Sequence, residues 1–533
     1  MVAFGDLNMV FTNGSTSYAD SDIWITLQRG QNPASVPDAA NTPDATYGGN
    51  AFVWNTYTNV VGSGTQVGNL FADSVRLSDI LAGGGIQWVG NAPSAAIYVS
   101  YGTNLPVSKY SISGISPSAP PDPSYNIAYQ NFEITYNGGL GDQGDITAIN
   151  FFSASLGIQS YASTNVTGPV LQSAGFHNPT ATIGAQLAAL TGSSPLAVLT
   201  NSGGQVTRVL GPTQYGAGQP NANDFGPYQD FSDYFASVAA LATNKTIISN
   251  VSAYNTTSDP AGSTSTYTNA QVQFVLNTNS VTSPSTNGYR LESAGSIQVV
   301  TTPLVWTGSN HIAGATTTNT YADVKLLVDP TGIDGMQPTL TNIASAYVYF
   351  GDASPGLDYI GVDGVGWASF TNAINGYVDG GGNSAEAVLN AQILGELSAA
   401  FAAGFIGSTN TLAEFGSTPL GELPSAAWWN MTNVVAFSDV QDATNFFNTF
   451  ADVIYQNSSN SVYGMVYSDR FIHNTTLVNT TTYEGTNVGS WLVTIGDPLS
   501  AIPEPAAAVL VIMGFIGFAF SRTFRKRRKL LGS

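Results

Sequence analysis

An acidic residue in the middle of an apolar strand pattern is the first candidate for chemistry in this sequence. Glu133 lies between Phe132 and Ile134 in the stretch 126–152, which reads NIAYQNFEITYNGGLGDQGDITAINFF. A carboxyl among apolar neighbours loses hydration, which raises its pKa and suits it to act as a general acid. Alternation along the strand allows a second interpretation, in which Glu133 lies on the solvated face. The pattern alone leaves both interpretations open.

A second candidate segment is aromatic and ends in a charged pair. It spans residues 461–470 and reads SVYGMVYSDR. Tyrosine rings present apolar faces that can stack on sugar rings, so Tyr467 and Asp469, two residues later, are candidates for carbohydrate binding. The same tyrosines would also fit an ordinary protein core.

Short runs of β-branched and aromatic residues, bounded by Gly, Asn, Ser or Pro, predict the strands that must position these residues. The clearest runs are 23–27, 96–100, 132–136, 272–276, 346–350 and 491–495. Apolar residues at helical spacing predict helices that begin at Pro179, cover 231–241 and cover 384–404. Residues 255–345 are rich in Ser, Thr and Asn and are expected to contain exposed loops. Strands followed by helices among strands indicate an α+β fold.

The charge composition of the chain excludes some classes of binding partner. Only 9% of the 533 residues are charged, and the net charge is −20. Residues 1–500 hold 8 basic against 33 acidic residues, a net charge of −25. Such a body repels nucleic acid and anionic lipid, so we expect no nucleic-acid partner, whereas a neutral polysaccharide is compatible with it.

The sequence predicts neither a metal nor a cofactor. It contains no cysteine, which excludes disulfides, cysteine-ligated zinc and thiol nucleophiles. The three histidines, His177, His311 and His473, are far apart, and their spacing matches no zinc motif.

The last 33 residues combine three parts in a fixed order. A Pro503-Glu504-Pro505 break precedes an apolar run, predicted as a membrane helix over 506–521, and a basic end over 522–529. This order resembles the PEP-CTERM sorting signal, which implies transient membrane anchoring, an exosortase-type membrane protease as partner, and a final location at the cell surface or outside the cell. A plain membrane anchor is the alternative, although a spanning helix needs about 20 apolar residues.

The N-terminal residues do not contain the export signal that a location at the cell surface or outside the cell requires. It reads MVAFGDLNMVFTNG and lacks a basic start followed by an apolar run, so a signal peptide is expected to be missing from this chain.

The order of several pieces is similar to the β-1,3-glucanases of glycoside hydrolase family 64. These pieces are IYVSYGTNL (97–105), FEITYN followed by AINFF, TRVLGP (207–212), DYF (233–235), the alanine-rich helix at 390–404, and VYGMVYSDR (462–470). The resemblance implies a thaumatin-like antiparallel β-sandwich and a mixed α/β lobe that flank a cleft for a glucan chain. It implies domains at 1–165 and 166–500, followed by the tail at 501–533.

The resemblance also assigns roles. It gives the acid to Glu133 and sugar contacts to Thr135 and Asn137, and it places the base at Asn150. An amide cannot accept the proton, and an inverting glycosidase needs two carboxyl groups about 6.5–9.5 Å apart. Asp145, Asp142 or Asp469 would then have to supply the base, or the site binds glucan without cutting it. Arg208 and the pair Asp469-Arg470 are expected to brace the cleft.

Three functions therefore follow from the sequence. The first is an exported, monomeric β-1,3-glucan hydrolase of the inverting kind. The second is a non-catalytic surface protein that binds β-glucan or exopolysaccharide on the same scaffold. The third is a structural surface protein without a sugar site.

Overall fold

The computed structural model describes the chain in segments. They are residues 7–30, 45–47, 50–52, 65–67, 70–88, 92–105, 123–136, 142–195, 197–211, 245–254, 266–276, 281–285, 288–306, 311–313, 317–329, 347–350, 403–405, 408–423, 427, 447–465 and 476–499. The chain forms two compact units, each made of more than one stretch of sequence. The first contains Met1–Pro220, Gly226–Tyr228 and Val478–Ser533, and the second contains Asn221–Phe225 and Gln229–Leu477. The predicted domain limits at residues 165 and 500 and the predicted cleft remain predictions.

The described chain is dominated by strands. Those before residue 220 are β1 Leu7–Asn13, β2 Ile23–Gly30, β3 Ala45–Tyr47, β4 Asn50–Phe52, β5 Thr65–Val67, β6 Leu70–Arg76, β7 Ile86–Trp88, β8 Ala92–Tyr101, β9 Tyr129–Tyr136, β10 Gln143–Thr147, β11 Phe151–Phe152, β12 Ala154–Tyr161, β13 Val170–Gly175, β14 Val198–Thr200 and β15 Val206–Leu210. Those of the second unit are β16 Lys245–Tyr254, β17 Thr266–Leu276, β18 Val281–Ser285, β19 Gly288–Trp306, β20 His311–Ala313, β21 Thr317–Asp329 and β22 Tyr347–Phe350. Four more follow: β23 Val478–Asn479, β24 Thr482–Tyr483, β25 Thr486–Asn487 and β26 Ser490–Pro498.

The described helices are few. They are α1 Leu77–Ala82, α2 Thr180–Leu190 and α3 Thr449–Gln456. The helix predicted from Pro179 is confirmed as α2, with Ile183 and Leu187 fully buried. Leu190, the last residue of α2, is 37% exposed. The predicted helix at 231–241 lies outside the described residues, as does nearly all of the one at 384–404.

Two seven-stranded sheets form a sandwich in the first unit. The first sheet has the strand order β13-β12-β26-β1-β7-β3-β4, and the second has the order β23-β10-β9-β8-β2-β6-β5. Strands β1 and β26 are parallel, and the other described pairs are antiparallel. Trp491 of β26 joins the sheets, because its buried indole N–H donates to the carbonyl of Asn479 in β23 at 3.0 Å. The predicted β-sandwich is therefore confirmed at the level of two packed antiparallel-rich sheets.

A third, three-stranded sheet, with the order β11-β15-β14, extends the first unit. Its residues Phe151, Leu199 and Leu210 form one apolar cluster with Ala96 and Tyr98 of β8. Ala96 and Tyr98 belong to the face of the second sheet that is turned away from the sandwich core. The third sheet therefore covers part of that outer face.

The second unit contains a sheet with the order β16-β17-β19-β21-β22, to which β18 and β20 add by pairing with β19. Its strands occupy much of the range 255–345, and the strand predicted at 272–276 lies within β17. Threonine, which is frequent in this range, is polar but β-branched and suits an extended chain. The exposed loops expected in this range remain a prediction.

Asp497 ties the end of β26 to the segment that follows β1. Its carboxylate accepts hydrogen bonds from Ser15 Oγ at 2.5 Å, from Thr16 Oγ1 and the Thr16 backbone N–H at 2.8 Å, and from the Ser17 backbone N–H at 2.9 Å. Burial by itself would raise the pKa of Asp497, but these hydrogen bonds outweigh it and lower the pKa to about 2.

Replacing Asp497 should make the free energy of unfolding less dependent on pH in the acid range. We expect Asp497→Asn to lower the free energy of unfolding at pH 7 by about 1–2 kcal/mol, because the amide satisfies fewer of the donors and the site is partly exposed. A depressed folded-state pKa stabilises the protein above the unfolded pKa, and this contribution is lost as pH falls from about 4 to about 2. Urea unfolding at pH 7 and near pH 2 measures this contribution. Asp79→Asn, at an exposed position of α1, is the control. A deficit that is as large near pH 2 as at pH 7 would contradict the assignment.

In the described part of the chain, no helix combines the length and apolar character required to cross a membrane. Residues 501–533 lie outside the described residues, so the sorting tail and its membrane helix remain predictions.

Candidate active site

Strand β9 alternates strictly between the sandwich core and the outer face. Phe132 and Ile134 are 0% and 1% exposed on the core side, whereas Glu133 between them is exposed on the outer side. Glu133 therefore lies on the outer face of the strand, as the second sequence-based interpretation expects, and the hydration of its carboxyl decides between the two interpretations.

Glu133 nevertheless has a perturbed environment. Desolvation by the surrounding protein raises the pKa of its carboxyl above the usual value. An exposed side chain that is still desolvated lies at a concave part of the surface. The third sheet accounts for such a shape, because exposure rises along the outer face of β9 from fully buried Tyr129 through partly buried Asn131 to Glu133.

A second carboxylate lies directly opposite Glu133. In the antiparallel pairing of β9 and β10, Glu133 pairs with Asp145, and on the other side of β9 it pairs with Ala96 of β8. Directly paired residues share one face of a sheet, with Cβ atoms about 4.5–5.5 Å apart. The structure thus brings together the predicted acid and one of the predicted substitutes for the base.

Gly144 explains why β10 can approach closely at this point. A Cβ atom at Gly144 would lie 2.6 Å from the ring of Trp491 and would clash with the backbone of Glu133. The missing side chain lets the buried indole pack directly beneath β10. β10 can therefore pair closely with β9, with Asp145 opposite Glu133. The sequence signal is the Gln143-Gly144-Asp145 order, but its meaning depends on Trp491, far away in the chain.

The other proposed bases lie elsewhere. Asp142 is 5% exposed and precedes β10 out of phase with Asp145, so it does not share the face of Glu133. Asn150 is exposed in the bend between β10 and β11, where its carbonyl accepts a hydrogen bond from the Gly211 N–H at 2.7 Å. Asp469 lies outside the described residues.

Further polar residues share the face of the acid pair. Thr135 is partly buried two residues after Glu133, as a sugar contact requires. Asn131 and Thr147 pair with each other in the next row and are also partly buried. Asn131 and Thr147 were not among the predicted site residues. Their even spacing from Glu133 and Asp145 is the signal that places all four side chains on one face. Asn137 and Tyr467, the other predicted sugar contacts, lie outside the described residues.

Arg208 braces the protein rather than facing the acid pair. It is fully buried in β15, and its guanidinium donates to the carbonyls of Ser124 at 2.8 Å, Tyr125 at 3.3 Å and Ile127. The guanidinium carbon also lies 4.3 Å from the ring centroid of Tyr129. These contacts agree with the prediction of a bracing role and locate it at the turn that leads into β9.

Within the described segments, no three His, Cys, Asp or Glu side chains gather closely enough to hold a metal ion. The site is therefore described by the two carboxyl groups and the polar face around them.

These features define a β-sandwich protein with an acid pair on a partly covered polar face. Residues 85–289 match the glycoside hydrolase family 64 model, described as beta-1,3-glucanase. That region includes Glu133, Asp145, Asn150 and Arg208. A comparison with curated proteins finds no significant match.

Three solved structures are similar to this chain. A family 64 β-1,3-glucanase domain from Clostridium beijerinckii is 15% identical, with a TM-score of 0.47, and the alignment covers 92% of this chain and 98% of that one. A laminaripentaose-producing β-1,3-glucanase in complex with laminaritetraose is 14% identical over 92% and 99% of the two chains, with a TM-score of 0.43. A family 64 laminaripentaose-producing β-1,3-glucanase from Paenibacillus barengoltzii is 18% identical over 44% and 53%, with a TM-score of 0.30.

Proposed function

We propose that this protein hydrolyses β-1,3-glucan, with Glu133 as the general acid and Asp145 as the second carboxylate. The observation that carries the proposal is the direct pairing of these two residues on the outer face of β9 and β10. The match of residues 85–289 to the β-1,3-glucanase family supports glucan as the substrate.

The chemistry follows from the different surroundings of the two acids. Desolvation raises the pKa of Glu133, so its carboxyl can keep a proton and donate it to the glycosidic oxygen as the bond breaks. In the same step water attacks the anomeric carbon from the opposite side of the sugar ring, and the Asp145 carboxylate accepts the proton that the water loses. Inversion needs about 6.5–9.5 Å between the two carboxyl groups, so from paired positions the side chains must turn apart. Thr135 and Asn131 are placed to bind sugar hydroxyls beside them.

Asp145 should therefore be needed for turnover. We expect Asp145→Asn to lower laminarin hydrolysis by at least about 100-fold, because the water loses its proton acceptor. Reducing-sugar release measures the rate, and the anomeric form of the first product, read by NMR, tests inversion. Asp79→Asn, an exposed acid of α1 in the same unit, is the matched control.

A second variant separates Asp145 from the base position that the family resemblance indicates. Asn150→Asp should leave the rate within a few-fold of the unmodified protein if Asp145 is the base. A large gain in Asn150→Asp, together with no loss in Asp145→Asn, would instead mean that the base was lost at position 150.

Glucan binding without hydrolysis is the second candidate function, and the amide at Asn150 favours it. In that case the protein should sediment with insoluble β-1,3-glucan and release no reducing sugar from laminarin. Neither binding nor hydrolysis would leave a structural surface protein as the remaining candidate.

We also propose that the protein is exported and held transiently at the membrane by its tail. The order of Pro503-Glu504-Pro505, an apolar run and six basic residues supports this. Expression beside an exosortase-type protease should shorten the chain near Pro503, as measured by intact mass. Alanine at all three positions should leave the tail attached, and cleavage that ignores this change would contradict the proposal.

A further inference from the structure

The outer face beside Glu133 is asymmetric. Ala96, directly opposite Glu133 on β8, is small, whereas Tyr98, two residues further along β8, carries a large ring. Tyr98 pairs with Asn131, so it lies diagonal to Glu133 on the same face, and diagonal neighbours lie within reach of an aromatic side chain. Burial raises the pKa of the Tyr98 phenol, and the neighbouring Tyr129 phenol and the Glu133 charge raise it further.

The Tyr98 ring is held rigidly. Only 7% of the residue is exposed, and its ring packs edge-on against Tyr129 with centroids 6.1 Å apart. Tyr129 in turn packs against Phe151 at 5.0 Å and lies beneath the Arg208 guanidinium at 4.3 Å. Because every member of this stack is buried, the ring cannot move aside to admit water.

The other groups around Glu133 are few in the described part of the chain. Asp145 faces it from β10, and Tyr129 precedes Asn131 on its own strand. Arg208 contributes a positive charge, but it lies behind Tyr129 and is engaged with backbone carbonyls. Tyr98 is the large apolar surface on the β8 side of Glu133, and Asp145 is the charge on the β10 side.

We propose that Tyr98 is a positioning residue of this site, whose buried ring forms the wall that excludes water from one side of the Glu133 carboxyl. The proposal rests on the proposed function for its purpose, since a general acid must hold its proton. It assigns the effect to the ring and not to the hydroxyl. It also means that the Tyr98 ring sets the upper pH limit of the reaction.

The test measures the titration of Glu133 without substrate. The chain has eight glutamates, so ¹³C-glutamate labelling gives few carboxyl signals, and Glu133→Gln identifies the signal of Glu133. We expect Tyr98→Ala to shift this titration downward, towards the usual glutamate value, and Tyr98→Phe to leave it unchanged. Tyr98→Leu, which keeps more of the packing, should give a smaller downward shift if Tyr98→Ala fails to fold.

Leu199→Ala is the matched control, because Leu199 belongs to the same cluster, is 4% exposed and comes from the third sheet. It should weaken the cluster without moving the Glu133 titration. The proposal fails if Tyr98→Ala or Tyr98→Leu leaves the titration in place, or if Leu199→Ala shifts it equally.

The pH profile of laminarin hydrolysis provides the second readout. Activity from a general acid is lost as pH rises through its pKa, so loss of the ring should move the alkaline limb to lower pH. If no variant and no unmodified protein hydrolyses laminarin, the proposed function fails, while the titration still decides the role of Tyr98.

Discussion

Glu133→Gln is expected to reduce laminarin hydrolysis by at least about 100-fold, the contribution that general acid catalysis commonly makes. The amide has nearly the same shape as the carboxyl but cannot give up a proton to the leaving oxygen. Reducing-sugar release at several pH values measures the loss. Because the acid is missing at every pH, no choice of pH should restore the rate.

The same substitution should not harm the fold. Desolvation raises the folded-state pKa of Glu133, so above that pKa the folded protein carries a poorly hydrated charge. This cost is present at high pH and disappears as pH falls below the unfolded value of about 4.3. Glu133→Gln should therefore unfold at an equal or higher temperature than the unmodified protein at pH 7, and lose any advantage in acid.

Glu484→Gln is the matched control for this experiment. Glu484 is exposed in the turn between β24 and β25. Its replacement by glutamine makes the same chemical change outside the second sheet. It should retain full activity. Equal activity of Glu133→Gln and Glu484→Gln would rule out Glu133 as the acid.

Arg208→Ala is expected to destabilise the first unit by about 3–5 kcal/mol, the range for the loss of a buried polar network combined with a cavity. The change removes donors from the carbonyls of Ser124, Tyr125 and Ile127, and it removes the cation stacked on Tyr129. Urea unfolding followed by tryptophan fluorescence measures the effect.

Arg76→Ala is the comparison that isolates burial. Arg76 also has its guanidinium over an aromatic ring, at 5.0 Å from the centroid of Trp24, but its side chain is exposed. It should cost less than about 1 kcal/mol. Similar losses in the two variants would contradict the view that Arg208 acts through its buried hydrogen bonds.

Local sequence patterns predicted much of the strand structure. The runs at 23–27, 96–100, 132–136 and 491–495 lie within β2, β8, β9 and β26. They could be predicted because an extended chain repeats every two residues, so a short stretch reveals its own alternation. The run at 272–276 lies within β17, in the Ser- and Thr-rich range 255–345, because β-branched threonine suits an extended chain although it is polar.

The assignment of the base was the least predictable part of the site. Asp142, Asp145 and Asp469 were all candidates in the sequence, with Asp145 preferred, because distance along the chain says little about proximity in a sheet. The register of β9 against β10 distinguishes the first two, since it pairs Glu133 with Asp145 and leaves Asp142 buried.

Sequence patterns were enough to show that Glu133 sits in a strand with apolar neighbours, that no cysteine chemistry is available, and that residues 1–500 carry a negative net charge. The three-dimensional fold fixed which carboxylate faces Glu133, which ring lies beside it, and that Arg208 is buried beneath the same cluster. It also decided that β1 pairs with β26, almost 480 residues later. The physical reason is that register, burial and stacking arise from hydrogen bonds and packing between segments distant in sequence, such as Trp491 beneath Gly144, and local periodicity carries no record of those partners.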